Sequence, residues 1–183
     1  GYLAIPLAAM VAAGASDDPS TGVVHAFEAL PAHFALLQET VDGNPALASS
    51  LVLYPDMPYG QKTALHRANK HNPLKPQVVV WRTQQNGMDA CVGTPLDAIP
   101  WTAPIDLLDI TAYGEEYPVL TGATTLIQQH QPAMTIQIWP DNVRQEYQCP
   151  LRADQTMYLL NKLNYDVFPL NEQFTYLCLP RTQ

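Results

Sequence analysis

Short β-branched or aromatic runs alternate along this chain with segments whose apolar residues recur at helical spacing. That alternation is the strongest restriction on what the chain can fold into. Gly22–Glu28 (GVVHAFE), Leu51–Tyr54, Val78–Arg82 (VVVWR), Ile105–Ile110 (IDLLDI) and Met134–Trp139 (MTIQIW) have the composition of strands, and Ala90–Gly93 is a further short candidate. Between them, the small apolar residues of Tyr2–Ala13 suit a buried helix closed by Gly14. Phe34, Leu37 and Val41 predict a helix that follows Pro31 and stops at Gly43-Asn44-Pro45. Val119, Leu120, Ala123, Leu126 and Ile127 lie on one face of a helix predicted over Glu116–His130. Asp154 is the expected N-cap of a helix carrying Met157, Leu160 and Leu163. Tyr59–Gln77 is polar and aperiodic and reads as an insertion or long loop. Asp166–Leu170 and Phe174–Leu179 read as an antiparallel pair at a sheet edge. The expected fold is α/β: one domain over residues 1–183, with a mostly parallel sheet, helices on both faces and an antiparallel C-terminal edge.

Charge restricts the partners. The formal net charge is −8, and Lys and Arg total nine. Lys62, Arg67, Lys70, Lys75 and Arg82 cluster beside His66 and His71, while the rest of the chain repels a polyanion, so general nucleic-acid binding is excluded. The cluster reads either as an anion-binding or docking loop or as a solvated polar excursion. Cys91, Cys149 and Cys178 are odd in number and far apart, with no metal-ligand spacing. Buried thiols in a reducing intracellular or organellar compartment are the expectation. The apolar run at Tyr2–Ala13 is shorter than the roughly 20 residues that cross a bilayer, and no basic segment precedes it as in a signal peptide. No transmembrane segment is expected.

In doubly wound sheets, ligands bind outside the carboxyl ends of the strands. Glu28 ends its strand there, where a carboxylate either accepts hydrogen bonds from a ribose diol or caps the helix that follows. Four further segments share an order and spacing with one family. They are Thr94-Pro95-Leu96-Asp97, Ile105–Glu116 (IDLLDITAYGEE), Val119-Leu120-Thr121-Gly122-Ala123 and Asn164-Tyr165. With Ala26-Phe27-Glu28-Ala29-Leu30-Pro31, they resemble the FkbM-type S-adenosylmethionine-dependent methyltransferases. That family carries "FEP", "T-LD", "idllKiDvEGaE", "vLkGa" and a late "GY" in this order.

The resemblance implies a Rossmann-like class I methyltransferase fold and S-adenosylmethionine as cofactor. It places Glu28 and Gly1 at the cofactor and implies no metal. It also implies transfer to a hydroxyl of a small molecule or sugar. Of the family's first strand and its glycine loop only Gly1 is present, so the domain is expected to lack that strand. The departures fall on charged positions: Asp109 stands for the family's Lys, Thr111 for its Asp, Tyr113 for its Glu, and Gln137 for a later Glu. Methyl transfer to a hydroxyl needs a group to take up the acceptor's proton. Asp109 and Glu116 are the candidates by position. Each has a structural alternative, Asp109 as a solvated or paired strand residue and Glu116 as a helix cap.

Two functions therefore stand together. One is a working O-methyltransferase. The other is a catalytically inactive methyltransferase fold that serves as a structural or interaction subunit with protein partners, its cofactor lost. A GxGxxG fingerprint, a phosphate loop and a GxSxG nucleophile are all missing from the sequence, which sets other nucleotide-binding and serine-hydrolase readings aside.

Overall fold

A computed structural model describes residues 3–14, 22–67, 81–82, 90–147, 149 and 151–181. Gly1 lies outside the described residues, as do Lys70, His71 and Lys75 of the basic cluster. The chain forms two compact units, Gly1–Met57 and Pro58–Gln183.

The first unit runs α1 (Ala4–Gly14), β1 (Val24–Phe27), α2 (Pro31–Asp42), α3 (Pro45–Ala48) and β2 (Leu51–Tyr54). Proline opens both α2 and α3, where its missing N–H removes no helical bond and its fixed φ already suits the helix. The crossover through these helices makes β1 and β2 parallel, with Val24 opposite Leu51 and Phe27 opposite Tyr54. Ala8, Ala26, Leu37, Val41, Leu47 and Leu51 form the core, its small alanines letting α1 approach the strands.

Near the junction lies β3 (Met57–Pro58), and the second unit continues through β4 (Thr63–Arg67), β5 (Trp81–Arg82) and β6 (Ala90–Thr94). These form a four-stranded sheet in the order β3-β6-β4-β5. The stretch expected to be a loop from Tyr59 onward thus contains a strand. Leu65 is fully buried and faces Cys91 across the β4–β6 ladder, and one buried leucine among polar residues is too little periodicity to announce it. Of the strand expected over Val78–Arg82, Trp81–Arg82 is described as strand and the rest lies outside the described residues.

A 3-10 turn at Leu96–Ala98 leads into β7 (Leu107–Ile110), α4 (Glu116–Thr121), α5 (Thr124–His130), β8 (Ala133–Gln137), α6 (Asp141–Glu146), α7 (Ala153–Lys162), β9 (Tyr165–Pro169) and β10 (Thr175–Pro180). The second sheet has the order β7-β8-β10-β9. β7 and β8 are parallel, joined over α4 and α5, while β10 is antiparallel to both β8 and β9. Met134, Ile136 and Cys178 are fully buried on one face, whereas Leu107 and Asp109 are exposed on the other.

Three expectations change here. The pairings are not mostly parallel: β1–β2 and β7–β8 are parallel, while β4–β5, β4–β6, β8–β10 and β9–β10 are antiparallel, the last because the short turn after β9 forces it. In that turn the Asn171 side-chain carbonyl accepts the N–H groups of Gln173 and Thr175. The terminal pair forms at the sheet's edge as expected, with β10 between β8 and β9. The helix expected over Glu116–His130 is two helices, broken at Gly122 and Ala123. Finally, α7 is capped at Arg152, whose backbone N–H donates to Gln155 Oε1 at 2.9 Å, and Asp154 lies within its first turn.

Asn164, aligned with the glycine of a late "GY", has φ +67, a left-handed conformation that asparagine tolerates better than most residues. Tyr165 beside it is buried and donates its hydroxyl hydrogen to Pro132 O at 2.8 Å. Among the described residues, no helix is long and apolar enough to cross a membrane.

Candidate functional site

In the first unit, Glu28 follows β1 and continues its ladder, its backbone N–H donating to Tyr54 O at 3.0 Å. Oε1 accepts the Leu30 N–H at 2.9 Å, immediately before α2, and Oε2 lies 3.8 Å from His33 Nδ1. The side chain is about a quarter exposed (26%). One oxygen of Glu28 thus serves the start of the helix, and the other lies near His33. Beside it, Phe27 and Tyr54 stack at 4.4 Å with their planes 11° apart. The Tyr54 hydroxyl lies 3.0 Å from His25 Nδ1, and burial lowers the pKa of that histidine.

In the second unit, the chain leaves β7 through a left-handed turn, with Tyr113 at φ +47 and Gly114 at φ +98. Gly114 is required there twice over. A Cβ on it would lie 2.4 Å from Cys149 Sγ, and its φ is one that side chains rarely adopt. The turn is tied down from inside by Glu116, whose Oε1 accepts the Gly114 N–H at 2.7 Å and whose Oε2 meets Arg144 Nη2 at 2.5 Å. Burial pushes the Glu116 carboxyl above the ordinary glutamate range, opposed by the Gly114 N–H and the Arg144 guanidinium.

Arg144 also donates to Trp139 O at 2.8 Å, to Gly114 O at 3.2 Å and to Leu151 O at 3.3 Å. One buried guanidinium thus joins the segments that follow both parallel strands, β7 and β8. Trp139 packs there between two half-buried tyrosines, with its ring centroid 5.6 Å from Tyr113 and 5.0 Å from Tyr147.

Within the second unit, Glu116 and Asp109 are not gathered into one cluster. Glu116 is sealed into the ion pair with side-chain exposures of 0% for it and 2% for Arg144, which leaves no surface to meet an acceptor. Asp109 is exposed on β7, and its Oδ1 accepts the Thr135 hydroxyl of β8 at 2.5 Å. The two occupy different strata of the same unit, one inside and one on the open sheet face. Gly1 lies outside the described residues. Arg144 was not legible as a partner in the sequence. It is separated from Glu116 by 28 positions, and no local spacing encodes such a pair. Among the described residues, no group of three His, Cys, Asp or Glu side chains could hold a metal ion.

The Thr94–Asp97 element has a physical explanation. Asp97 Oδ1 and Oδ2 accept the N–H groups of Leu126 and Thr125 at 2.8 and 3.0 Å, capping α5 from 28 residues away. Ala123, the N-cap by position, has no side chain able to do this. Asp97→Ala is expected to lower stability by about 1 kcal/mol, read as a fall in urea midpoint at unchanged slope.

No protein-family model matches the sequence, and no curated protein matches it. Among solved structures, the methyltransferase FkbM from Methylobacillus flagellatus KT is similar, with a TM-score of 0.55 and 17% identity. The alignment covers 86% of this chain and 36% of that one, so the chain spans about a third of the solved neighbour's length. The fold is α/β and methyltransferase-like. Within that class it is the FkbM-like fold that the strand-end motifs resemble.

Proposed function

We propose that this chain is a Rossmann-like class I methyltransferase domain that binds S-adenosylmethionine through Glu28 and acts on a hydroxyl of a small molecule or sugar. The observation that carries the reading is the Glu28 carboxylate at the carboxyl end of β1, about a quarter exposed, with Oε1 held by the Leu30 N–H and Oε2 3.8 Å from His33 Nδ1. A partly exposed carboxylate accepts from a vicinal diol without the full desolvation penalty of a buried charge. The bound cofactor supplies an electrophilic methyl group; this chain's residues bind and orient it. Gly1 is proposed at the same cofactor on the family resemblance alone.

A second reading is favoured by a specific observation: both candidate proton acceptors are engaged. Glu116 is sealed against Arg144 and Gly114, and Asp109 accepts from Thr135. The alternative is therefore a domain that keeps the fold as a structural or interaction subunit in a larger complex. Calorimetric titration with S-adenosylmethionine separates the two. Saturable binding that weakens at least tenfold in Glu28→Gln is the expected result. No heat with the folded wild-type chain, or equal binding by the variant, sinks the cofactor-binding reading and leaves the scaffold.

A further inference from the structure

We propose that the open face of the β6-β4-β5 ladder docks a short acidic segment of a partner protein, independently of whether the chain binds S-adenosylmethionine. Charge segregation is the first argument. Residues 62–82 hold five of the nine Lys and Arg residues (Lys62, Arg67, Lys70, Lys75 and Arg82) and not one Asp or Glu. The remainder of the chain carries four Lys and Arg against seventeen Asp and Glu. Charges that serve solubility alone are interspersed by sign, so a run of one sign in a chain of the other marks a place for an oppositely charged partner.

The ladder is the second argument. Part of this run is not a loop: β4 pairs antiparallel with β6 and with β5, which sets His66 opposite Ala90 on one side and opposite Arg82 on the other. Alternation along β4 puts Ala64 and His66 on one face, and Thr63, Leu65 and Arg67 on the other. Leu65 is fully buried, whereas Val92, the partner of Ala64, is 43% exposed. The face with His66, Arg82 and Val92 is therefore the open one. Directly opposed residues stand about 5 Å apart, so His66 and Arg82 are neighbours on that face. Lys62, in the bend that leads into β4, is exposed as well.

Size selects the occupant. β4 and β6 have five residues each and β5 has two. The face therefore measures about 17 Å along the strands and about 14 Å across them. That area, roughly 240 Å², is well short of the ~800 Å² per partner of a stable interface between folded proteins. It matches an extended segment of about five residues. The exposed Val92 gives such a segment one apolar contact beside its ion pairs.

Charge excludes two other occupants. A nucleic acid has to extend past the short face over the acidic remainder of the chain, where its phosphates are repelled. A second copy of this chain brings its own charge of −8, which holds two copies apart. A short acidic segment meets only the basic face.

Fluorescence anisotropy with a labelled, short glutamate-rich peptide tests this on wild type, Lys62→Glu, Lys62→Glu/Arg82→Glu and Lys162→Glu, with melting curves alongside. Lys162 is exposed on α7, so its reversal changes the net charge as Lys62→Glu does, but elsewhere. The expected result is saturable binding by wild type that weakens with salt. Affinity falls about threefold or more in Lys62→Glu and about tenfold or more in the double variant, and stays within about twofold in Lys162→Glu. Should the double variant not fold, Lys62→Glu decides, because Lys62 is exposed. No binding by wild type, equal binding by Lys62→Glu, or an equal loss in Lys162→Glu overturns the proposal. Tighter binding of an oligothymidylate or of inorganic phosphate than of the peptide also overturns it, in favour of a nucleic-acid face or a small-anion site. Self-association of wild type that Lys62→Glu abolishes assigns the face to a second copy and overturns it too. S-adenosylmethionine takes no part in these measurements, so their failure leaves the cofactor reading as it stands.

Discussion

Arg144→Met is expected to lower the free energy of unfolding by about 3–5 kcal/mol, the range for breaking a buried ion pair from one side. The substitution leaves the Glu116 carboxyl at zero side-chain exposure without its counter-charge, held by backbone N–H groups alone, and it strips donors from three carbonyls. A buried charge without its partner is the largest penalty a point change produces in a domain of this size. The double variant Glu116→Leu/Arg144→Met removes both charges and is expected to recover part of the loss. Recovery is incomplete because the carbonyls of Trp139, Gly114 and Leu151 still lack their donor. A double-mutant cycle by urea unfolding checks this, with a favourable coupling above about 2 kcal/mol expected. A loss below about 1 kcal/mol for Arg144→Met means that water reaches the pair, and the sealed geometry is then wrong.

The same substitution carries a functional consequence. Arg144 holds the backbone after β7 and after β8, so its removal loosens both segments at once. Near-ultraviolet circular dichroism of the Tyr113–Trp139–Tyr147 cluster should collapse in Arg144→Met even under conditions where far-ultraviolet signal shows the fold intact. That behaviour separates a support for the strand ends from a general prop of the core.

What the sequence made legible is mostly backbone demand. Gly114, Gly122 and Asn164 stand out because a left-handed or crowded backbone restricts the residue type wherever it occurs, so a one-dimensional pattern carries it. Pro31 announces a helix start for the same reason, whereas Pro45, read as part of that helix's stop, also opens α3. What stayed hidden is pairing at a distance. Asp97 was visible as part of a motif, but its role as the cap of α5 depends on a fold that brings residues 28 and 29 apart together. Arg144 has Asp141 three residues before it in α6, so local spacing points to a different acid from the one it pairs with. The insertion of β10 between β8 and β9 is set by hydrogen bonding between strands and leaves no trace in either strand's alternation. For the candidate site this divides cleanly. The place of Glu28 just after a strand was legible. That Glu116 is consumed by a buried arginine was not, and the motif around it looks the same whether the carboxylate faces substrate or core.

Gly122→Ala is the second large effect, and it tests why the helix after β7 breaks where it does. The amide of Asp97 donates to Gly122 O at 2.8 Å, and the Gly122 N–H closes the last turn of α4 on Pro118 O at 3.1 Å, so the residue is held from both sides. A Cβ there would stand 1.9 Å from Tyr59 O and 2.8 Å from Tyr59 C, backbone atoms that no rotamer change can move aside. The φ of Gly122 is −82°, ordinary for any residue, so the demand for glycine is one of space and not of conformation. Relief requires the Tyr59–Gly60 segment to lift, and Tyr59 N–H is itself bonded to Thr94 O at 3.0 Å, while Gly60 sits against Thr121. Lifting it breaks that bond and uncovers the end of α4, where Leu120 and Ala123 are fully buried. The expected loss is about 3 kcal/mol, at the upper end for overpacking because the obstacle is main chain. Gly60→Ala meets the Thr121 hydroxyl at 2.8 Å, a contact with a side chain, and is expected to lose less. Thermal unfolding of the two variants therefore ranks them, and a Gly122→Ala protein as stable as Gly60→Ala means that the Tyr59 carbonyl does not lie against α4.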